Sequence, residues 1–190
     1  MTEPRITDPF ELQSRLIYSI VVAGKSATFA NAVMIRWYCN REEGELPFDM
    51  ARRLEGDGRL EQSFREARSG NYGKLTKAVS TLIRTELDLL TCQPQDLEKI
   101  HGIGPKTSRF FILWTRPDAK FAALDVHILR WLRLQGYDAP KATPQSGQKY
   151  AILEQAFLKE AEKRGKTARE LDFEIWEAGS TGLNQTPLAD

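Results

Sequence analysis

An all-α fold is what this chain predicts, and three observations carry it. Apolar residues recur at helical spacing along most of the sequence, no segment sustains the alternation of a half-buried strand, and the helical runs are parted by short turns such as "REEGELP", "EGDG" and "RPDAK". A length of 190 residues is enough for one substantial core, or for two small helical lobes.

The first helix is announced by "TDPFELQSRLIYSIVVAG". Asp8 stands as N-cap, Pro9 as first helical residue, Glu11 as the partner that completes a capping box, and Gly24 as the stop. Phe10, Leu12, Leu16, Ile17, Ile20 and Val21 form its apolar stripe. Further helices are expected over residues 28–40, 48–54, 60–68, 72–90, 94–100, 105–115, 125–134, 148–164 and 168–177. The last has Thr167 as N-cap with Glu170 three residues on, and its Leu171, Phe173 and Trp176 point to docking on the core. Most of Trp37, Trp114, Trp131 and Trp176 are expected in the core as well. "YDAPKATPQSGQ" reads as a linker and "TGLNQTPLAD" as a frayed end.

Composition narrows the function classes. With 27 basic and 26 acidic side chains the chain is no general polycation, so an anionic partner has to be met by a local patch. Cys39 and Cys92 are the only cysteines, too far apart for a metal-ligand spacing, which argues against a disulfide framework and an iron–sulfur cluster and for a reducing compartment. The longest apolar run, about residues 17–23, is too short to span a bilayer and there is no signal-peptide pattern; a cytoplasmic protein is expected.

The most specific stretch is "IHGIGPKTSRFF" at residues 100–111. A helix–helix corner needs one glycine. Here Gly102 and Gly104 flank Ile103, giving two positions tolerant of positive φ and bare backbone N–H groups, followed at once by Pro105 as a preset first helical residue. Such a turn can approach a partner closely and favours an anion. Leu97, Ile100 and Ile103 anchor one side, and Phe110, Phe111 and Leu113 continue the other, as in a helix-hairpin-helix that holds phosphate without reading sequence. Lys106 follows the turn at the positive end of the next helix dipole, where its neutral, nucleophilic form is favoured. Further on, "AALDVHILRWLRL" places Asp125 at a helix N-cap; a cap alone could be asparagine or serine.

This combination resembles the helix-hairpin-helix superfamily of DNA glycosylases, the group of endonuclease III, adenine glycosylase and the 8-oxoguanine glycosylases. "LEKIHGIGPKTSRFF" looks like its hairpin with lysine at the catalytic position, and "AALDVHILRWL" like its aspartate segment. "LIYSIVVAGKSATFANAV" is similar to its wedge helix–loop–helix, "GNYGKLTKAV" to its aromatic-bearing helix and "LDFEIWEAGS" to its closing helix.

The resemblance implies a two-lobed fold with a central cleft: residues 8–124 as a helical-barrel lobe with the wedge loop and the hairpin at about 94–115, and 125–190 with 1–7 as a second lobe. It implies a bifunctional glycosylase and abasic-site lyase acting on double-stranded DNA that contains an altered base. The target nucleotide is flipped out, Lys106 is the nucleophile, and Asp125 stabilises the cationic sugar. Phosphate contacts are expected from Gly102, Ile103, Gly104, Thr107 and Arg109, and wedge or pocket roles from Lys25, Ser26, Tyr72 and His127. The protein is expected to be a monomer without cofactor, resident metal or membrane, leaving room for a monovalent cation at the hairpin carbonyls. No cysteine set matches the iron–sulfur cluster of endonuclease III, and "NQTPLAD" lacks the C-terminal lysine of the small 8-oxoguanine enzymes. The expected substrate is 8-oxoguanine, with an oxidised or hypermodified pyrimidine, including modified bases of phage DNA, as the alternative; a non-catalytic module that binds distorted DNA is the alternative of another class. Two basic runs fit a DNA-contacting edge: Lys106, Arg109, Arg116, Lys120, Arg130 and Arg133, and Arg65, Arg68, Lys74 and Lys77.

Overall fold

The computed structural model describes residues 4–180, and among these it is helical without a strand. The helices are α1 (Pro9–Val21), α2 (Ala27–Trp37), α3 (Pro47–Gly56), α4 (Leu60–Glu66), α5 (Tyr72–Arg84), α6 (Pro94–Leu97), α7 (Pro105–Thr115), α8 (Val126–Leu134), α9 (Gly147–Lys163) and α10 (Ala168–Ser180), with a single 3-10 turn at Tyr38–Asn40. Among the described residues no helix is long and apolar enough to cross a membrane. Both cysteines are free, Cys39 exposed and Cys92 buried. The stretch "TGLNQTPLAD", expected to fray, lies outside the described residues.

The described chain divides into two compact units, one of Ile6–Thr107 and one from Ser108 onward joined by the described residues before Ile6. The boundary expected at 124/125 therefore moves back into α7. The reason is the apolar content of the intervening stretch: Leu113, Ala122, Ala123 and Leu124 are buried in one cluster with Ile128, Leu129, Tyr150, Phe157 and Leu171.

The N-terminal unit is organised on α5. Its Leu75, Ala78, Val79, Leu82 and Ile83 are buried at helical spacing, and α3 and α4 pack against it. Trp37 is fully buried, stacked on Phe64 with ring centroids 5.2 Å apart, and its indole N–H donates to Ser63 Oγ at 3.0 Å. That bond removes the cost of burying a polar N–H. Asp8 caps α1 by accepting from Glu11 N at 2.8 Å, while the Glu11 carboxylate turns to Arg15 at 2.6 Å. α5 stops at Arg84 rather than running on to residue 90. Past that point Thr85 bonds back to the Thr81 carbonyl, and Asp88 accepts from Leu90 N and the Thr91 hydroxyl, so short polar side chains hold the backbone in a non-helical path.

In the C-terminal unit α10 packs on α8 and α9. Thr167 and Glu170 form the expected reciprocal cap: Glu170 N donates to the Thr167 hydroxyl at 3.2 Å and Thr167 N to the Glu170 carboxylate at 2.8 Å. The docking face of α10 is Ala168, Leu171 and Ile175; Phe173 and Trp176, expected inside, are 57% and 42% exposed. Phe173 lies roughly 200° around the helix from Leu171, off the buried stripe. Trp131 is buried as expected, and Trp114 is half-buried. The stretch at 137–148, expected to be a linker, is tied down inside this unit. Ala139 and Pro144 are buried, the Tyr137 hydroxyl donates to Glu160 at 2.8 Å, and Arg133 donates to the carbonyls of Ala139 and Pro140.

Candidate nucleic-acid interface and catalytic residues

The glycine turn is built from the inside outward. α6 is a single turn closed by Gln93 and Asp96, which cap each other, and it ends at Leu97 rather than at Ile100. The chain then steps through two further turns, Ile100 N donating to Leu97 O at 3.0 Å and Ile103 N to Ile100 O at 3.1 Å. Leu97, Ile100 and Ile103 are all buried, so the turn is held rigidly from beneath. The two glycines have separate reasons. Gly102 has φ +86°, and a Cβ on it would lie 3.1 Å from Ala78 Cβ on α5. Gly104 has no positive φ, and a Cβ there would meet nothing within 4 Å. Of the two positions tolerant of positive φ, only Gly102 uses that freedom. The fold explains Gly102 and leaves Gly104 as a bare, open patch of backbone.

Pro105 begins α7 as expected, Lys106 is its half-buried second residue, and Thr107 is buried. Gly104 thus stands at the N-terminal, positive end of the α7 dipole.

Ser26 caps α2, its hydroxyl accepting from Phe29 N at 3.2 Å. Lys25 is exposed, with its ammonium 5.2 Å from the Phe29 ring centre and 3.7 Å from where a Cβ on Gly70 would stand. The α1–α2 and α4–α5 loops are therefore neighbours. In the second loop Arg68, Gly70 and Asn71 all have positive φ, at 55°, 64° and 46°. Tyr72 opens α5 with the Arg65 guanidinium 4.7 Å over its ring, and Arg65 also pairs with Glu61 at 2.5 Å. Lys74 stands one helical turn before Ala78 on the same side of α5, next to the glycine turn. Among the described residues Lys25, Arg68, Lys74 and Lys77 form no ion pair, although all are exposed. This is an uncompensated basic face spread along α5 from the Lys25 loop to the hairpin.

The other basic run is spent differently. Arg109, expected among the phosphate ligands, is largely buried in a 2.8 Å ion pair with Glu154 and lies 4.5 Å over the Tyr150 ring. Arg116 is buried, and Arg133 serves the carbonyls noted above. Three cations of this run, Arg109, Arg116 and Arg133, are thus engaged within the C-terminal unit, while Lys120 and Arg130 are exposed.

Asp125 is the N-cap of α8, with extended backbone at φ −86° and ψ −176°. The amides of His127 and Ile128 both donate to its Oδ1, each at 2.9 Å. Among the described residues its Oδ2 accepts no hydrogen bond, so half of the carboxylate is left over after capping. His127 contributes its backbone N–H to this cap, and its side chain is half-buried. A carboxylate fixed through one oxygen and open at the other suits stabilisation of a nearby positive charge.

No protein-family model matches the chain, and no solved structure matches it. Sequence reading passed over the side chains that bond to the backbone just before Asp125, Thr143, Tyr150 and Glu154. A signal existed for Glu154: it sits within the apolar stripe Tyr150, Leu153, Phe157 and Ala161 of α9, where a carboxylate needs a buried partner.

Proposed function

We propose that the protein is a DNA glycosylase with abasic-site lyase activity, of the helix-hairpin-helix kind with its two-lobed fold. The observation that carries this reading is the open backbone of Gly104 at the head of α7, with Lys106 two residues on. A phosphate seated there would bring a nucleotide to the lysine, and the unpaired cations Lys25, Arg68, Lys74 and Lys77 would receive the flanking backbone.

In the proposed reaction the neutral Lys106 Nζ attacks C1′ of a flipped-out nucleotide. The glycosidic bond breaks with its electron pair leaving on the base, which takes up a proton. The sugar ring opens as O4′ is protonated, giving a Schiff base between Lys106 and C1′. Loss of a C2′ proton then expels the 3′ phosphate and cuts the strand. Asp125 stabilises the cationic sugar and helps move these protons. Arg109 has no place in this scheme, because its guanidinium is committed to Glu154.

The substrate class is an altered base in duplex DNA, 8-oxoguanine first and an oxidised or hypermodified pyrimidine second. The test is a panel of duplexes, each carrying one modified base, assayed for base release and for strand cleavage. Release with cleavage from at least one duplex is the expected result. Tight binding of distorted duplexes without release from any would leave the non-catalytic module as the better reading.

A further inference from the structure

The segment leading into Asp125 is buried yet has no regular secondary structure: Ala122, Ala123 and Leu124 are at most 2% exposed. Its backbone groups must find partners without a helix or a sheet. Side chains supply them. Ala122 N donates to Glu154 Oε1 at 2.9 Å, and the Tyr150 hydroxyl donates to Ala122 O at 2.7 Å. The same hydroxyl accepts from Leu124 N at 3.1 Å, and the Thr143 hydroxyl donates to Leu124 O at 2.8 Å. Arg109 completes the assembly, bonded to Glu154 and stacked on Tyr150. Four polar groups within three residues are thus pinned by one buried tyrosine, one buried ion pair and one threonine.

We propose that Tyr150, with Glu154, Arg109 and Thr143, is a positioning device that fixes where the open oxygen of Asp125 stands. This inference rests on the glycosylase reading for its consequence, although the brace itself does not. A cap alone would not need it, since Asp125 can bond to His127 and Ile128 wherever α8 begins. A carboxylate that must meet a developing charge does need it, because a displacement of about 1 Å can cost about a hundredfold in rate.

The test uses the full chain. Tyr150→Phe removes the hydroxyl that serves both Ala122 and Leu124; Thr143→Val is a milder change at the edge of the same brace. The control is Tyr137→Phe, which deletes a comparable hydroxyl bond to Glu160 in the same unit. Single-turnover base release should fall by about ten- to a hundredfold in Tyr150→Phe and by less in Thr143→Val. DNA affinity should be unchanged in both, and the control should keep its rate even if it melts earlier. In an Asp125→Asn background, Tyr150→Phe should change the rate by less than about twofold, because Tyr150 acts only through that carboxylate.

Wild-type rates in both brace variants, an equal loss in the control, or full additivity with Asp125→Asn would each overturn the proposal. If the wild-type protein releases no base from any duplex, the glycosylase reading fails and the amide NMR signals of His127 and Ile128 decide the brace. They should shift in Tyr150→Phe and stay in place in Tyr137→Phe; signals unmoved in both would end it.

Discussion

The pair Gly102 and Gly104 offers a clean separation of fold from function. At Gly102 a side chain is opposed twice, by a left-handed backbone at φ +86° and by Ala78 Cβ at 3.1 Å from the new Cβ. Left-handed backbone costs an L-residue about 1–2 kcal/mol, and a tight contact with an atom on a packed helix adds to it. Gly102→Ala should therefore lose about 1–3 kcal/mol of stability, on the scale of local backbone strain. At Gly104 neither penalty exists. Loss of backbone freedom in the unfolded chain favours a side chain by about 0.4–1 kcal/mol, and the poorer capping of α7 offsets part of it. Gly104→Val should stay within about 1 kcal/mol of wild type by the same terms.

Its effect on DNA should be large in proportion. A valine on the open backbone would hold a phosphate away from the first-turn amides, and a hydrogen bond to a charged group contributes about 1.5–3 kcal/mol. Affinity should then drop by roughly ten- to a hundredfold, equally for damaged and undamaged duplexes, because phosphate carries no base information. Urea denaturation and fluorescence anisotropy on the two variants measure both quantities. Gly104→Val that folds normally and binds as tightly as wild type would mean that the open backbone faces nothing but water. Full stability in Gly102→Ala would contradict the geometry of the turn.

Asp125→Asn keeps an oxygen to accept from His127 and Ile128, so melting should barely move while base release falls by roughly a hundredfold or more; release within a few-fold of wild type would reduce Asp125 to a cap. Neutralising Lys74 and Lys77 together, as glutamines, should weaken binding across all duplex sequences and lower the salt dependence of log Kd by about one unit per lysine; an unchanged slope would remove this face from the interface. Glu160 is nearly buried and is held down to about 2 from 4.5, first by Lys163 and also by Arg164 and the Tyr137 hydroxyl. Its folded-state pKa is lowered, so its stabilisation is full above the unfolded value of 4.5 and is lost as pH falls toward about 2. The urea midpoint should decline over that window, and Glu160→Gln should flatten the decline; an identical decline in the variant would assign it to other carboxylates.

What could be read from the sequence was what neighbours in sequence decide. Asp8 with Pro9, Thr167 with Glu170, Asp125 and Pro105 each mark a helix start through contacts within four residues, and each stands where it was expected. Where the outcome depended on distant partners, the reading went astray. Arg109 looked like a phosphate ligand because its partner Glu154 lies 45 residues on, in another helix. The 137–148 stretch looked like a linker because the groups that fasten it, Glu160 and the Leu124 carbonyl, lie outside it. Phe173 and Trp176 misled for a different reason: aromatic character was weighed above helical phase, although Ala168, Leu171 and Ile175 already define the buried stripe. The two glycines could not be told apart without the structure, since only the position of Ala78 and the backbone angles separate them.

Covalent chemistry at Lys106 is open to reductive trapping. Borohydride added while the protein acts on a duplex that it processes should reduce the Schiff base and leave a stable protein–DNA adduct. Peptide mapping should place the adduct on Lys106, and Lys106→Ala, shown to be folded and to bind DNA, should form none. An adduct of undiminished yield in Lys106→Ala, or one mapped to another lysine, would contradict the account.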